Sequence, residues 1–126
     1  MLYLDTNILI YLFELHDPYS KKVAIILEEF TDGGKQLITS AVTVTEFLTG
    51  TTLSSLETLH KVPKLNIISV NENIAEQAAI LQRKNSIKIG DSIHLATAIQ
   101  QKAEAFFTND KKLIKVVEKY ISVISL

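Results

Sequence analysis

Met1-Leu2-Tyr3-Leu4-Asp5-Thr6-Asn7-Ile8-Leu9-Ile10 opens the chain. Its first four residues form a short apolar run cut off by an acid, the pattern of a strand buried on both faces. Residues 7–15 then carry apolar side chains nearly all round, as a buried helix does. A buried strand followed at once by a buried helix starts a β-α unit. Asp5 stands at their junction, outside the carboxyl end of the strand. In open α/β sheets this is where ligands bind.

The same alternation continues outward. Asp17-Pro18 offers an N-cap followed by proline at the first helical position. Val23, Ile26, Leu27 and Phe30 follow at helical spacing, and Gly33-Gly34 ends that helix. Residues 36–39 read as a second strand. Ser40 can cap a helix running to about Leu48, with Gly50 as its stop. Residues 54–60 suit another short helix and residues 66–70 a β-branched strand. Asn71 caps a helix whose apolar face is Ile74, Ala75, Ala78 and Leu81. Asp91 opens the next, with Ile93, Leu95, Ala96 and Ile99 inward. Residues 105–108 form a strand, and Asn109 or Asp110 starts a helix through Leu113, Val116 and Val117. Residues 122–126 close the chain as a strand. Strands alternating with helices predict an α/β fold with a mostly parallel sheet covered on both faces, joined by right-handed crossovers.

Composition narrows the chemistry. The 126 residues suit one domain, 1–126. The lack of cysteine excludes disulfides, thiolate zinc sites and a cysteine nucleophile, and agrees with a cytoplasmic protein. Fourteen acids balance 13 bases, which argues against a domain that holds nucleic acid by bulk positive charge. Arg83 is the one arginine, leaving few planar forks for phosphate. No run approaches the ~20 apolar residues of a membrane span, and the N-terminus lacks the basic start and cleavage site of a signal peptide.

Four acids fall where the fold places ligands: Asp5, Glu46, Asp91 and Asp110. Singly, each has a structural reading. Asp91 and Asp110 suit N-caps, Thr43-x-x-Glu46 matches a capping box, and Asp5 can start a turn. Jointly they carry more. Asp5 and Glu46 are set among apolar residues, and burying an unpaired carboxylate costs several kcal/mol. Converging carboxylates need protons or a cation to relieve their repulsion. Oxygen ligands favour a hard divalent ion such as Mg²⁺, and the three histidines lack zinc-ligand spacing.

Four segments stand in order: Leu4-Asp5-Thr6-Asn7-Ile8-Leu9-Ile10, Thr43-Val44-Thr45-Glu46-Phe47, Gly90-Asp91-Ser92-Ile93-His94-Leu95-Ala96-Thr97-Ala98 and Phe107-Thr108-Asn109-Asp110-Lys111-Lys112-Leu113. Together they resemble a PIN-domain ribonuclease, most closely the VapC-type toxins of prokaryotic toxin–antitoxin pairs, over essentially the whole chain. The resemblance implies a compact three-layer α/β/α sandwich with a small, mostly parallel central sheet. It also implies an endoribonuclease dependent on Mg²⁺ or Mn²⁺, a cognate antitoxin that blocks the site, and a homodimer. Asp5, Glu46, Asp91 and Asp110 match the family's acidic quartet. Asp5 and Asp91 would hold the metal most directly, Asp110 would complete its shell, and Glu46 would act through a bound water. Asn7 and Thr108 match polar positions that shape the site and bind substrate.

His94 lies one helical turn after Asp91 and invites a general-base role. The plainer reading is a partly buried helix histidine, because a metal generates hydroxide without it. Lys111, Lys112, Lys115 and Lys119 make the last helix basic. They read as a solvated face that complements the helix C-terminus, with RNA phosphate contact as the alternative. Three other functions share these residues: a housekeeping RNA-processing nuclease, a non-catalytic binding module, and a phosphotransferase with Asp5 as nucleophile. The last is disfavoured by Asp5-Thr6-Asn7, which lacks a second aspartate two residues on. Setting the four acids aside leaves ten against 13 bases, so the near-neutral total is compatible with an acidic pocket in a mildly basic body.

Overall fold

The computed structural model describes residues 1–14, 18–51 and 55–126. In chain order the elements are β1 (Leu2–Leu4), α1 (Thr6–Phe13), α2 (Ser20–Asp32), β2 (Leu37–Ser40), α3 (Ala41–Gly50), α4 (Leu56–His60), β3 (Leu65–Ile68), α5 (Glu72–Asn85), α6 (Ile89–Gln100), β4 (Ala105–Phe107), α7 (Lys111–Val117) and β5 (Ser122–Ile124). The strands form one five-stranded sheet in the order β3-β2-β1-β4-β5, and every pairing is parallel.

Side chains on a strand alternate between faces, and here that alternation divides the core in two. Leu2 and Leu4, Leu37, and Ala105 and Phe107 share one apolar cluster with Ile8, Leu9, Val23, Leu27, Phe47 and Leu59. Tyr3, Ile38 and Phe106 point the other way, into a cluster with Ile74, Leu81, Leu95, Leu113 and Val117. Helices α1 to α4 therefore cover one face and α5 to α7 the other, giving the three layers of an α/β/α sandwich. Central β1 is buried at every position, whereas the edge strands β3 and β5 are only partly covered.

Strand order explains the position of the site. From β1 the chain steps to β2 and β3 on one side, then crosses back to β4 and β5 on the other. The crevice of a doubly wound sheet opens at such a reversal. The two strands flanking it are joined at their carboxyl ends, where Asp5 N–H donates to the Phe107 carbonyl at 3.0 Å.

Several boundaries differ from expectation. Strand β3 spans Leu65–Ile68 and stops short of Val70, because its partner β2 turns into α3 after the last pair, Ser40 with Ile68. Strand β5 ends at Ile124, opposite the last residue of β4. Helix α2 begins at Ser20 with Tyr19 in the cap position, so Pro18 precedes the helix instead of occupying its first turn. The expected cap Asp17, the helix end at Leu15 and the start of the short helix at Ser54 lie outside the described residues. Helix α6 begins two residues before Asp91, with Lys88 at its cap. Asp91 is thus a first-turn residue, where the helix dipole favours its negative charge. Other signals read as expected: Ser40, Asn71 and Asp110 cap α3, α5 and α7 through their side chains, and Gly34 after α2 takes a left-handed backbone, φ 81°.

Candidate active site

Asp5 follows β1 and caps α1. Only 6% of its surface is exposed, yet both carboxylate oxygens are partnered. Oδ1 accepts from Thr6 N–H at 2.8 Å and Oδ2 accepts from the Thr108 hydroxyl at 2.7 Å. The Thr108 hydroxyl oxygen accepts in turn from Asp110 N–H at 3.1 Å. Asp110 Oδ1 receives the Lys112 and Leu113 amides at 3.0 and 3.2 Å, which is its capping role. Asp5, Thr108 and Asp110 are therefore one hydrogen-bonded unit spanning the ends of β1 and β4. Thr108 was expected to bind substrate. Its single hydroxyl proton is committed to Asp5, so in this structure it orders the acids.

Glu46 reaches the same place from α3. Ser40, three residues before Thr43, caps that helix by accepting from Val42 N–H, so the expected capping box does not form. Thr43 instead bonds Thr39 at 2.7 Å inside the core. Glu46 Oε1 accepts from the Thr6 hydroxyl at 2.7 Å and from His94 Nε2 at 2.6 Å. Its Oε2 lies 3.0 Å from where a Cβ on residue 90 would stand, so Gly90 leaves room for this carboxylate.

His94 is fully buried, not partly as expected. Its Nδ1 pairs with the Tyr3 hydroxyl at 2.5 Å, and its Nε2 lies 3.6 Å from Asp5 Oδ1. Sequence reasoning missed the joint role of Tyr3, Thr6, His94 and Gly90. The period-2 pattern sends Tyr3 away from the Leu4 side, and the helical pattern turns His94 toward the sheet. Those two facts together were the available signal.

Electrostatics ties Asp91 to the group. Burial, then the charges of Asp5, Asp110 and Glu46, outweigh the pull of His94 and raise its carboxyl to about 6. Glu46 moves the other way. The hydrogen bond from His94, aided by that from Thr6, lowers it despite partial burial. For His94, burial alone would favour the neutral ring, but the bond to Glu46 and the charges of Asp5, Glu46 and Asp91 together raise its pKa. Burial and the Asp5 charge keep Tyr3 a protonated phenol.

Asn7 stands in the first turn of α1, and its Oδ1 is buried without a hydrogen-bond partner, the one such side-chain atom among the described residues. Also among those residues, no three acids or histidines stand close enough to form a ready-made metal cage, and no helix is long and apolar enough to cross a membrane.

A family model for the PIN domain matches residues 2–119, a span that includes all four acids. No curated protein matches the chain significantly. Among solved structures, a toxin–antitoxin complex from Klebsiella pneumoniae is 29% identical with a TM-score of 0.73, covering 89% of this chain and 88% of that one. VapBC2 from Rickettsia felis, bound to a DNA fragment from its promoter, is 20% identical with a TM-score of 0.72 and covers 100% and 99%. VapC20 of Mycobacterium tuberculosis, described as a sarcin–ricin-loop-cleaving toxin, is 14% identical with a TM-score of 0.70 and covers 91% and 94%. The sheet order, the acids at its central reversal and the nearly full-length family match agree: the chain belongs to the PIN domain family.

Proposed function

We propose that this protein is a divalent-cation-dependent endoribonuclease and the toxin of a toxin–antitoxin pair. Mg²⁺ is the natural ion and Mn²⁺ a substitute. The observation that carries the reading is Asp91, whose ionisation is opposed first by its burial and then by the charges of Asp5, Asp110 and Glu46 on three other elements. A cation is the natural relief for such crowding.

The donor set suits a hard ion. All four acids offer oxygen, and a buried Asn7 oxygen lacks a partner two residues from Asp5. A ready-made three-ligand cage is not required, because Mg²⁺ is usually held by one or two carboxylates with several waters. Asp5 and Asp91 would hold the ion most directly, and Asp110 would complete or extend its shell. When bound, it makes water more acidic and offsets charge on phosphate oxygens.

The remaining work falls to the chain. Thr6 N–H and the Thr108 hydroxyl grip both oxygens of Asp5 and stop its carboxylate from turning. Glu46, whose carboxyl is held below the usual range by the His94 and Thr6 bonds to Oε1, keeps Oε2 on the Gly90 side. There it can accept a proton from a water attacking the phosphorus.

The toxin role and an antitoxin partner rest on similarity to a complex of that kind at 29% identity. A homodimer is consistent with apolar side chains left exposed, Ile89 at 71% and Tyr120 at 42%. The experiment is direct: purified protein with single-stranded RNA and Mg²⁺ should cut the RNA internally, and chelation should stop it. Cleavage that persists in chelator refutes the reading. For the toxin role, expression should arrest growth, with relief on co-expressing the antitoxin; unaffected growth with abundant protein counts against it.

Gly90→Ala provides a separate check. The new Cβ would sit 3.0 Å from Glu46 Oε2, and Oε1 is pinned by two donors, so the carboxylate must shift. Alanine is the better helix former by about 1 kcal/mol. The expected result is a melting temperature unchanged or raised, with cleavage slowed roughly tenfold, equivalent to about 1.4 kcal/mol in the barrier. Undiminished cleavage would show that Glu46 does not act from this position.

A further inference from the structure

We infer that His94 is a positioning residue, whose Nε2–H holds Glu46 in place while Tyr3 fixes the ring that does so. Its kinetic consequences rest on the nuclease reading; its structural core does not.

Burial comes first. His94 has no exposed surface and cannot exchange protons directly with substrate or with a water on it, so a general-base role does not fit. Both ring nitrogens are engaged instead. Nε2 lies 2.6 Å from Glu46 Oε1, and Nδ1 lies 2.5 Å from the Tyr3 hydroxyl.

Proton accounting sets the directions. Glu46 is an acceptor when ionised, so Nε2 must carry the proton in that bond. In the neutral ring Nδ1 is then the acceptor, and the Tyr3 hydroxyl donates to it. In the charged ring Nε2 keeps its proton, and Nδ1–H donates to the phenol oxygen. Either way Nε2–H points at Glu46.

Tyr3 is itself immobile. It lies on β1 at the centre of the sheet with no exposed surface. Its ring stacks on Phe106 with centroids 4.8 Å apart and meets His94 edge-on at 5.8 Å. A sheet-anchored phenol thus sets the orientation of an imidazole, and the imidazole sets one oxygen of Glu46. Thr6 supplies the second grip on that oxygen at 2.7 Å. With Oε1 held twice, Oε2 is directed toward the space beside Gly90. Partners of this kind, one step behind the reacting groups, typically change activity by about 10–100-fold.

Three variants and one spectrum test this. In the metal-free wild type, ¹⁵N NMR of the histidines should show His94 with a proton on Nε2 that exchanges slowly with water. A ring protonated only on Nδ1, or rapid exchange, overturns the proposal whether or not the protein cuts RNA. His94→Gln places an amide N–H near the former Nε2, whereas His94→Asn reaches only the Nδ1 position. His94→Gln should keep kcat within about threefold and His94→Asn should lose roughly 10–100-fold, with KM for RNA unchanged in both. Tyr3→Phe, which leaves the packing intact, should lower kcat by a smaller factor and speed exchange of the Nε2 proton. Assays are run below the melting temperature of each variant. If His94→Gln falls as far as His94→Asn, the ring acts as acid or base and positioning is wrong. If His94→Asn keeps wild-type kcat, His94 is only a core residue and the proposal fails. A wild type inactive on RNA refutes the nuclease reading instead, and the NMR result still decides the placement of His94.

Discussion

Asp5→Asn should reduce cation-dependent RNA cleavage by at least about a thousandfold, roughly 4 kcal/mol in the barrier, while the protein stays folded. The site loses its most deeply placed negative charge, and with it a ligand of the proposed ion, whose effect on the reacting phosphate is worth several kcal/mol. Folding should survive because the geometry can be kept. The asparagine oxygen still accepts from Thr6 N–H, and its amide faces Thr108, whose oxygen already accepts from Asp110 N–H. Against the changed bond to Thr108 stands a gain: one of the charges that oppose ionisation of Asp91 is removed. The expected metal-free stability at pH 7.5 is within about 1 kcal/mol of wild type, in the ordinary range for single substitutions. Chemical denaturation and cleavage rates on the same preparation check both halves. A variant that remains folded and cuts RNA at the wild-type rate would remove Asp5 from the mechanism.

The second large effect is a pH dependence that the cation should reverse. Asp91 is raised from 3.8 to about 6 in the folded protein, so its contribution favours the fold below 3.8 and is lost as pH rises through 6. His94 is raised above 6.5, and its contribution is likewise lost as pH rises through its folded value. Glu46 is lowered below 4.5; its contribution is present above 4.5 and constant at higher pH. From pH 5 to 8 the metal-free protein should therefore lose stability. Asp91 is part-exposed and screened by solvent, so its share is of order 1 kcal/mol, or about 3–5 °C in melting temperature. Metal ligands must be deprotonated, so saturating Mg²⁺ should raise the melting temperature more at pH 8 than at pH 5. At a hundred times its dissociation constant, a ligand adds about 2.7 kcal/mol. Melting curves at the two pH values, with and without Mg²⁺, measure this. A metal-free protein more stable at pH 8 than at pH 5 would contradict the crowding of acids.

Much of the fold was legible because the helices and strands have different periods. Residues 1–4 announced a buried strand, and the structure divides it between two cores, with Leu2 and Leu4 on one side and Tyr3 on the other. Boundaries were less legible where a partner element decides them. Nothing in residues 66–70 says that β2 turns away at Ser40 and ends the pairing of β3. Asp91 looked like a helix cap because aspartate caps helices, yet the two residues before it are already helical and Lys88 holds the cap position. The acids of the candidate site were readable one by one, since Asp5, Asp91 and Asp110 fall at a strand end or near a helix start and Glu46 lies one to two turns into the helix after β2. The links between them were not. Tyr3, Thr6, Glu46 and His94 come from β1, α1, α3 and α6, and only the sheet order brings those elements together. Thr43-x-x-Glu46 shows the reverse hazard: a local motif whose two members bond elsewhere, Thr43 with Thr39 and with Thr6 at 3.3 Å, and Glu46 with Thr6 and His94.

The central claim is that acids from separate elements share one cation, and Mn²⁺ tests it most directly. In a ¹H–¹⁵N spectrum at pH 7.5, substoichiometric Mn²⁺ broadens the amides near its binding place. The account predicts selective broadening at Asp5, Thr6, Asp91, Ser92 and Asp110 together, suppressed by excess Mg²⁺ and absent in Asp5→Asn. Broadening that spares these residues, or that is unchanged in Asp5→Asn, would contradict it.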